Sequence, residues 1–447
     1  MNLKKICSIF LAVTMLGTSS AFFSVNAEEI SYSLGDINLD SSVNYKDIIS
    51  LQDYVNGDYT PSCSAETLLK IADLNDDKQI SNSDIDELIE AFIDADMNLG
   101  DVNDDDRISV VDATEIQKYL VNLLDESFDI YQSINADYNK DGRVSVLDAT
   151  EIQKELVGLN TKTDFPTASV KATDKKCRSQ YADYIKQYNL SDMLKGYYVV
   201  GQNSSSWLIF RDDKWEYFYN YYDNTVGLCD YLGNNKTEIL PVKLTTGKSV
   251  IKVGSYSDFS PVYTGTYNDK KAPYSTLENI FIPSNYKLMR NSFEGNKKIK
   301  NVFFASGNGI AHETSVFEDC SSLERVVLPS SMSTVPFGMF DGCKSIKKIV
   351  LPEGLTTVDK YAFRGTSISK LVVPKSVKVI KDEAFASPKL RDVYVMSKTT
   401  DLDITWLAAE GLQWSSLSLH GYKNSTLHDY WKLSEEEDLN VKMVFLN

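Results

Sequence analysis

A twelve-residue acidic segment occurs four times near the start of the chain, and it constrains the fold more than any other feature. The copies read DINLDSSVNYKD, DLNDDKQISNSD, DVNDDDRISVVD and DYNKDGRVSVLD, and they begin at Asp36, Asp73, Asp101 and Asp137. Each copy places oxygen-bearing side chains at positions 1, 3, 5, 9 and 12. A solvated acidic turn does not explain four copies that keep this register.

Oxygen ligands at these positions, with a backbone carbonyl at position 7, have the spacing of an EF-hand calcium loop. Ca²⁺ is a hard cation that takes six to eight oxygens, so carboxylates must converge on it from a tight loop. We therefore predict up to four bound Ca²⁺ ions. Their side-chain ligands are Asp36, Asn38, Asp40, Asn44, Asp47, Asp73, Asn75, Asp77, Ser81, Asp84, Asp101, Asn103, Asp105, Ser109, Asp112, Asp137, Asn139, Asp141, Ser145 and Asp148. The backbone-carbonyl ligands are Ser42, Gln79, Arg107 and Arg143.

The four loops depart from the ideal loop at two positions. Position 6 favours Gly because the turn is sharp there, and only Gly142 satisfies this, whereas Ser41, Lys78 and Asp106 occupy the other copies. Position 12 is Asp rather than the usual bidentate Glu. These departures predict that the loop beginning at Asp137 binds most tightly and that the loop containing Lys78 binds most weakly.

A helical pattern follows each loop. After the two later loops, the phrases VVDATEIQKYL at 110–120 and VLDATEIQKEL at 146–156 differ at only two positions. Apolar residues recur at helical spacing in both, as they do after the earlier loops. Since no helical pattern precedes the first loop of either pair, the units are predicted to be loop–helix modules.

Paired loop–helix segments of this kind resemble dockerin modules, over roughly 34–97 and 99–160. The resemblance implies binding to the cohesin module of a scaffoldin, in a cellulosome-type complex that degrades polysaccharide. It also implies partner contacts at loop positions 10 and 11 and helix positions 17 and 18. In the later pair these are Val110, Val111, Gln117, Lys118, Val146, Leu147, Gln153 and Lys154. The near-identical copies would permit docking in two orientations; the alternative for the two valines is the core of the module.

A second repeat, of 22 to 23 residues, begins near residue 277. Pro329, Pro352 and Pro374 recur at that interval, as does a phenylalanine series from Phe317 to Phe385. The period and the L-x-x-V-x-L pattern indicate a leucine-rich-repeat solenoid. The pattern resembles BspA-type repeats over roughly 275–396, which implies binding of a protein or a surface. Cys320 and Cys343 occupy equivalent places on adjacent coils, either as free core thiols or as a disulfide.

Two further sets of residues are candidate recognition surfaces. Basic residues recur between the buried positions of the repeats and predict a positive stripe, although a solvated face would give the same pattern; they are Arg325, Lys347, Lys348 and Lys370. An alternating aromatic row in a predicted strand could stack on carbohydrate, or it could be the packed face of a small β-domain. The row consists of Trp215, Tyr217, Tyr219 and Tyr221.

Charge and targeting signals bound the compartment and the partners. Residues 28–160 carry a net charge of −23, which makes nucleic acid an improbable partner for that half. Lys4 and Lys5 precede an apolar run from Ile6 to about Leu16, and the segment ends in an A-x-A-like site, Val25-Asn26-Ala27, as in a secretory signal peptide. No later stretch is apolar enough for a membrane span. We expect a secreted protein in an extracellular or cell-surface complex.

The expected fold is multidomain: all-α, EF-hand-like loop–helix modules, then a small β-rich domain and a β-solenoid-like leucine-rich-repeat array. The predicted segments are the signal peptide 1–27, modules 28–97 and 98–160, a linker 161–175, the β-rich domain 176–274, the solenoid 275–396 and a C-terminal cap 397–447. No catalytic motif is present. The favoured function is therefore a non-catalytic scaffold component. The alternatives are a dockerin-bearing hydrolase with its site in 176–274, acting on polysaccharide or protein, and a free-standing surface adhesin.

Overall fold

The computed structural model describes residues 33–40, 42–97, 99–105, 107–121, 123–124, 128–140, 143–157, 159, 168–203, 207–253, 276–284, 286–307, 313–403, 405–437 and 439–446. The chain divides into two compact units, 1–163 and 164–447. The predicted signal peptide and the first half of the predicted linker lie outside the described residues. None of the described helices combines the length and the apolar character needed to cross a bilayer.

The N-terminal unit is helical, and a helix follows each acidic loop as predicted. The helices are α1 (Tyr45–Val55), α2 (Ala65–Ala72), α3 (Asn82–Met97), α4 (Val110–Leu120), α5 (Ile130–Asn135) and α6 (Val146–Leu156). Helices α1, α3, α4 and α6 follow the four loops, whereas α2 and α5 connect the loops within each pair. The predicted apolar face is buried at Ile48, Leu51, Ile116 and Ile152, each fully inaccessible.

The two predicted modules pack against each other in this unit. Helices α4 and α6 pair through a core that includes Ala113 and Ala149. Helix α3 of the first module packs on α5 of the second. A Cβ atom on Gly35 would lie 3.1 Å from the Ile130 side chain, so the first loop approaches α5 closely. The boundary at 97/98 therefore separates two sequence repeats within one compact unit.

The C-terminal unit begins with helices rather than with the predicted linker. Helix α7 (Ala168–Gln180) covers residues 168–175, and α8 (Ala182–Gln187) follows it. Asp174 Oδ1 accepts hydrogen bonds from the backbone N–H of Val199 and from Arg178 Nε, both at 2.8 Å. The linker prediction is therefore wrong from residue 168. The helix is charged, with few apolar side chains to give a helical pattern.

The β-rich segment forms an antiparallel meander that continues into parallel sheet. Its strands are β1 (Tyr198–Asn203), β2 (Trp207–Arg211), β3 (Trp215–Asn220), β4 (Thr225–Tyr231), β5 (Thr237–Ile239) and β6 (Val250–Val253). The repeats add β7 (Asn279–Ile282), β8 (Lys287–Leu288), β9 (Asn301–Phe304) and β10 (Arg325–Val327). One sheet has the order β1-β2-β3-β4-β6-β8, and a second has the order β10-β9-β7-β5.

The predicted boundary at 274/275 is therefore wrong, because both sheets cross it. Strand β6 pairs in parallel with β8, and β5 pairs in parallel with β7. One continuous hydrophobic core extends from Cys177 to Val441. The antiparallel meander acts as the N-terminal end of the solenoid rather than as a separate domain.

Two more parallel sheets extend the solenoid past the predicted end at residue 396. The first consists of β11 (Thr334–Val335), β12 (Thr357–Val358), β14 (Val379–Ile380) and β16 (Asp401–Leu402). The second consists of β13 (Lys370–Val373), β15 (Asp392–Val395), β17 (Ser418–Gly421) and β18 (Lys442–Phe445). Helix α9 (Thr426–Glu436) connects the last two strands. The predicted cap thus continues both sheets, with a longer and less regular repeat that hides its period.

An aromatic ladder forms the spine of the solenoid, as the repeated phenylalanines predict. The rings of Phe293, Phe317, Phe340, Phe363 and Phe385 stack in that order, with centroids 5.0–5.6 Å apart and interplanar angles of 3–16°. All five side chains are buried. Trp406, which the repeat pattern did not identify, ends the ladder edge-on at 6.4 Å from Phe385.

Left-handed residues at equivalent positions turn each coil. Ser315, Gly338, Tyr361 and Glu383 have φ between 48° and 62°. The backbone N–H of each donates to a carbonyl of the next coil, at 2.9–3.2 Å. Non-Gly residues pay a steric cost in this conformation, which the coil-to-coil hydrogen bonds offset.

The two equivalent cysteines are free thiols. Cys320 Sγ donates to the carbonyl of Phe293 at 2.9 Å, and Cys343 Sγ donates to that of Phe317 at 3.0 Å. Burial raises the pKa of both thiols, which disfavours the reactive thiolate. Of the two alternatives, the structure supports buried core thiols.

We predict that Phe340→Ala lowers the unfolding free energy of the C-terminal unit by about 3–5 kcal/mol, because it opens a cavity in the middle of the ladder. Phe337→Ala is the matched control: this ring is 37% exposed and should cost about 1 kcal/mol or less. Urea unfolding followed by tryptophan fluorescence measures this unit alone, since all five tryptophans lie between 207 and 431. Equal losses for the two variants would contradict the ladder's role.

Candidate functional site

The aspartate at position 12 closes each acidic loop onto the helix that follows it. Asp112 Oδ1 accepts from the backbone N–H of Val102 at 2.9 Å, and Oδ2 accepts from that of Ser109 at 2.8 Å. In the last loop, Asp148 accepts from Asn139 at 3.1 Å and from Ser145 at 2.8 Å. The same carboxylates complete capping boxes at the starts of α4 and α6.

The earlier loops repeat this arrangement. Asp47 accepts from the backbone N–H of Asn38 at 3.1 Å and of Asn44 at 2.9 Å. Asp84 accepts from those of Leu74 and Ser81, both at 2.8 Å. All four position-12 side chains are fully buried. The position-12 aspartate therefore closes the loop in the same way in all four copies.

The first half of each loop is a turn built on its own oxygens. The backbone N–H of Asp105 donates to Asp101 Oδ1 at 3.1 Å and to Asn103 Oδ1 at 3.2 Å. The two earlier loops make the same contacts between positions 5, 1 and 3. Position 4 is left-handed in all four loops, with φ of 55–62° at Leu39, Asp76, Asp104 and Lys140. No sequence pattern indicated this left-handed conformation at position 4.

At position 6, only Lys78 lies within the described residues. Its φ of 65° confirms the left-handed turn that the Gly preference predicts there. The other three position-6 residues lie outside the described residues, as does the predicted ligand Asp141. The predicted backbone ligands at position 7 are Ser42, Gln79, Arg107 and Arg143, and all four lie within the described residues.

The donor set fits a divalent cation. Within the described part of the chain, the four position-12 carboxylates accept backbone and hydroxyl hydrogen bonds but form no ion pair with Lys or Arg. A buried carboxylate is costly unless it is paired or binds a metal ion. Burial raises the pKa of Asp47 to about 7, and neighbouring carboxylates add to this, although two backbone donors oppose the rise. A calcium ion would supply the missing positive charge.

No three Asp, Glu, His or Cys side chains of the described residues are grouped as a metal site requires. The predicted aspartate ligands at positions 1, 5 and 12 lie within the described residues in the first three loops, and they are therefore not brought together there as three metal ligands. The loop carboxylates here accept backbone N–H groups at positions 2 to 9, which holds the loop in a compact form. Which ions occupy the loops, and how many, remains a prediction.

The residues predicted to contact a partner are open to solvent. Val110 and Val146 are each 60% exposed, Val111 is 46% exposed and Leu147 is 56% exposed. They are therefore not the core of the module, which Ala113, Ile116, Ala149 and Ile152 form instead. Exposed apolar side chains in matched positions on α4 and α6 form what we call the docking face. Its contact with a partner remains a prediction.

The polar members of the docking face are also matched in the two copies. Gln117 and Gln153 are exposed, and Lys118 and Lys154 lie beside them. Lys118 pairs with Glu115 at 2.8 Å, and Lys154 pairs with Glu151 at 2.7 Å. Each half of the near-two-fold face therefore presents one amide and one ammonium group.

More apolar surface lies at the ends of the same helices. Leu123 and Leu159, which continue the helical spacing of apolar residues in the sequence, are 72% and 69% exposed. Val121 and Val157 are exposed as well, at 58% and 67%. The helices end at 120 and 156, so these residues lie beyond the helices and do not extend their buried faces. Matched exposure in both copies extends the symmetry of the surface.

The early pair has no comparable face. The residues of this pair that correspond to the helix contacts include Gln52 and Ile89, which are 6% and 0% exposed. Polar residues occupy the corresponding loop positions, Tyr45, Lys46, Asn82 and Ser83. Ile89 on α3 lies in the unit's interior, so the first module contributes packing to this unit.

Three of the four rings of the aromatic row, Trp215, Tyr217 and Tyr219, are buried and do not form a recognition surface. Trp215, Tyr217 and Tyr219 are only 2–3% exposed, and Tyr221 is partly buried. Tyr217 packs edge-on against Tyr197 at 5.7 Å. The prediction of an exposed row is therefore wrong, and the alternative of a packed sheet face is supported. Exposure of such a row depends on which distant segment covers it, which strand alternation alone does not determine.

Two members of the basic stripe, Arg325 and Lys370, begin strands β10 and β13, whereas Lys347 and Lys348 lie in a segment outside the strands. Lys347 and Lys370 are exposed, whereas Arg325 and Lys348 are partly buried. Val327, expected on the same outer face, is only 2% exposed, while Val372 is 45% exposed. The outer face is therefore open at its C-terminal coils. Its role in recognition remains a prediction.

Family models match the later pair of acidic loops and the leucine-rich repeats. Residues 99–157 match the family model of the Dockerin type I domain. Residues 271–396 match six copies of the BspA type leucine rich repeat region. Both families are non-catalytic modules, and each match covers less than half of the chain. No curated protein sequence is significantly similar to the chain.

The chain is also similar, at TM-scores below 0.5, to solved leucine-rich repeat proteins. A leucine rich repeat protein of T. pallidum is 19% identical, with a TM-score of 0.34 over 45% of this chain and 86% of that chain. A leucine rich cell surface protein of Faecalibacterium prausnitzii A2-165 is 21% identical, with a TM-score of 0.30 over 43% and 56% of the two chains. A leucine-rich repeat protein of Bacteroides ovatus ATCC 8483 is 17% identical, with a TM-score of 0.24 over 53% and 76%.

We predict that Asp148→Asn separates the two roles of the position-12 carboxylate. The amide oxygen can keep one backbone contact, so in EDTA the melting temperature of the N-terminal unit should change little. In Ca²⁺ the variant should lose most of the stabilisation that the wild type gains from its last loop, about 2–3 kcal/mol at a hundredfold excess over Kd. Circular dichroism at 222 nm, with and without Ca²⁺, measures both effects.

The control for this experiment is Asp129→Asn, which changes the exposed cap residue of α5 outside the loops. It should leave the Ca²⁺-dependent gain intact. Equal calcium responses in Asp148→Asn and the wild type would mean that the last loop does not bind the ion.

Proposed function

We propose that this protein is a secreted, non-catalytic component that docks through a calcium-dependent dockerin module onto a cohesin-bearing scaffoldin. Its solenoid then presents a binding surface within a polysaccharide-degrading complex. The observation that carries the proposal is the docking face: four exposed apolar residues in matched positions of a segment that fits the dockerin type I family. Exposed apolar patches rimmed by polar groups are typical of protein-interaction sites.

Calcium dependence follows from the position of the ligands. The docking residues at loop positions 10 and 11 lie directly before Asp112 and Asp148. A bound ion would stabilise the loop and the first turn of the helix together, and so fix the orientation of these side chains. Ion binding and partner binding are therefore coupled, since metal-binding energy contributes to folding in small loop-based sites.

Placement outside the cell is supported by two independent features. The first 27 residues have the sequence of a secretory signal peptide, and dockerin and BspA-type modules are typical of extracellular proteins. Millimolar extracellular calcium would suit loops that lack the bidentate Glu at position 12.

The solenoid is proposed to select the target. Lysines at 347, 348 and 370 recur on successive coils beside the exposed Val372. A positive stripe of this kind attracts acidic partners and makes the association sensitive to salt. The N-terminal unit, strongly acidic, would not compete for such partners.

We predict that the docking face works in either of two orientations. Val110→Asp with Val111→Asp should reduce cohesin affinity no more than about threefold, because α6 can replace α4. Val146→Asp with Leu147→Asp should behave in the same way. All four changes together should abolish binding, since a charge buried in either interface is costly. Isothermal titration with purified cohesin modules measures each affinity.

Circular dichroism of each variant in Ca²⁺ serves as the folding control for these exposed sites. Loss of binding in one pair alone would establish a single orientation. Full binding by the quadruple variant would remove the docking face from the proposal altogether.

We predict that the stripe binds anionic polymers. The triple variant Lys347→Glu, Lys348→Glu, Lys370→Glu should bind poly-glutamate about tenfold more weakly than the wild type at low salt, with the difference shrinking at high salt. The matched control changes three other exposed lysines of the unit, Lys297, Lys375 and Lys389, to Glu. Equal weakening by the two triplets would indicate a solvated face without a dedicated site.

A further inference from the structure

Four tyrosines from two segments form an aromatic cluster at the N-terminal end of the C-terminal unit. Tyr184 lies in α8 and Tyr188 directly follows that helix, while Tyr221 and Tyr222 lie in the turn between β3 and β4. Ring centroids are 4.7 Å apart for Tyr184 and Tyr188, 4.8 Å for Tyr188 and Tyr221, and 4.0 Å for Tyr221 and Tyr222. We call these four residues the tyrosine cluster.

The tyrosine cluster is held by a rigid turn. The backbone N–H of Tyr222 donates to Asn220 Oδ1 at 3.0 Å. Asn224 adopts a left-handed φ of 55°, and its Oδ1 accepts from Tyr219 O–H at 3.2 Å and from Lys248 Nζ at 3.1 Å. The buried strand β3 thus leads directly into an exposed turn whose backbone is fixed before any ligand binds.

Exposure in the cluster increases from one end to the other. Tyr184, Tyr188 and Tyr221 are partly buried against the core, whereas Tyr222 is 70% exposed. A ring that is stacked on its neighbour and still open to water contributes little to the core. Tyrosine has an apolar body and a polar tip, which makes it common where a surface binds a ligand that is partly apolar and partly hydroxylated.

The polar groups around the cluster favour a neutral ligand. Asp223, next to the exposed ring, forms an ion pair with Lys252. Gln187 Nε2 donates to the Tyr188 hydroxyl at 3.0 Å, so an amide and a phenol lie side by side. Amides and hydroxyls can both donate to and accept from sugar hydroxyls. The C–H face of a pyranose ring, in turn, is attracted to the negative face of an aromatic ring.

We propose that the tyrosine cluster binds a neutral, pyranose-based glycan chain. Tyr222 stacks on the C–H face of one sugar ring, and Tyr221 and Tyr188 line the adjacent position. Glycan binding would not depend on cohesin docking, because the tyrosine cluster lies in the C-terminal unit and the docking face lies in the N-terminal unit.

The ring orientations specify the form of glycan. Interplanar angles are 32° for Tyr221 and Tyr222, 31° for Tyr188 and Tyr221, and 85° for Tyr184 and Tyr221. Rings at such angles are not coplanar, so they do not form the flat row of rings that a crystalline surface would need. We therefore expect the ligand to be a single chain in solution.

Affinity electrophoresis of the full chain tests this proposal, with native gels that contain soluble β-glucan, xylan, mannan or starch. At least one of these neutral glycans should retard the wild-type protein. Tyr222→Ala should weaken that binding about fivefold or more, the loss of one stacked ring, and Tyr222→Trp should retain it. Phe337→Ala, which removes an exposed ring elsewhere on the unit, is the matched control and should bind normally.

Tyr222 is mostly exposed, so its replacement should leave tryptophan-detected unfolding unchanged, which separates binding from folding. The proposal is overturned if none of the four glycans retards the wild type, or if Tyr222→Ala binds as well as the wild type. Stronger retardation by polygalacturonate would show an acidic ligand and overturn the neutral assignment. Stronger binding to crystalline cellulose than to soluble chains would overturn the single-chain geometry.

Discussion

The carboxylate at the twelfth position of each acidic loop is the interaction on which the N-terminal unit depends. It joins the two ends of the loop through backbone N–H groups and also caps the following helix. Asp112 and Asp148 perform this role in the later pair, with no exposed surface and, among the described residues, no ion pair with Lys or Arg. A negative charge buried in this way must be neutralised, so the geometry that builds the helix also creates the demand for a cation. We propose that ion binding, helix formation and presentation of Val110 and Val146 are parts of one equilibrium.

The C-terminal unit depends instead on contacts between successive coils. Each coil buries a phenylalanine on the one before it and donates a backbone hydrogen bond to the next coil from a left-handed residue. The stability of the solenoid is therefore a sum of contacts between neighbouring coils. Strands β5 and β6 pair in parallel with β7 and β8, so the antiparallel meander continues the sheets of the solenoid at its N-terminal end. The two candidate binding surfaces of the C-terminal unit, the basic stripe and the tyrosine cluster, therefore lie on one continuous hydrophobic core.

Local and periodic features of this protein could be predicted from the sequence. The ligand spacing of the loops, the helices after them and the stacked phenylalanines each follow from residues close together in the chain or from a fixed repeat. The same information predicts that Val110 and Val146 are equivalent, although their exposure had to come from the structure. The helical period alone does not show where a helix ends: Leu123 keeps the apolar spacing of α4 but lies beyond the end of that helix and is exposed.

Features set by distant contacts could not be predicted. The boundary at 274/275 failed because β5 pairs with β7 across about forty residues, and no local pattern reports that pairing. Trp215 and Tyr217 alternate as an exposed row would, yet α7 and α8 belong to the same core and leave these rings buried. The tyrosine cluster could not be predicted for the same reason, since Tyr188 and Tyr222 are brought together only by the fold.

Hydrogen exchange of the full chain, with and without Ca²⁺, tests the central claim most directly. The account predicts that removing calcium increases the exchange of backbone amides throughout 99–157, most strongly in the first turns of α4 and α6. The amides of the solenoid should exchange at unchanged rates. Unchanged protection of α4 and α6 in EDTA would contradict the claim that an ion organises the docking face.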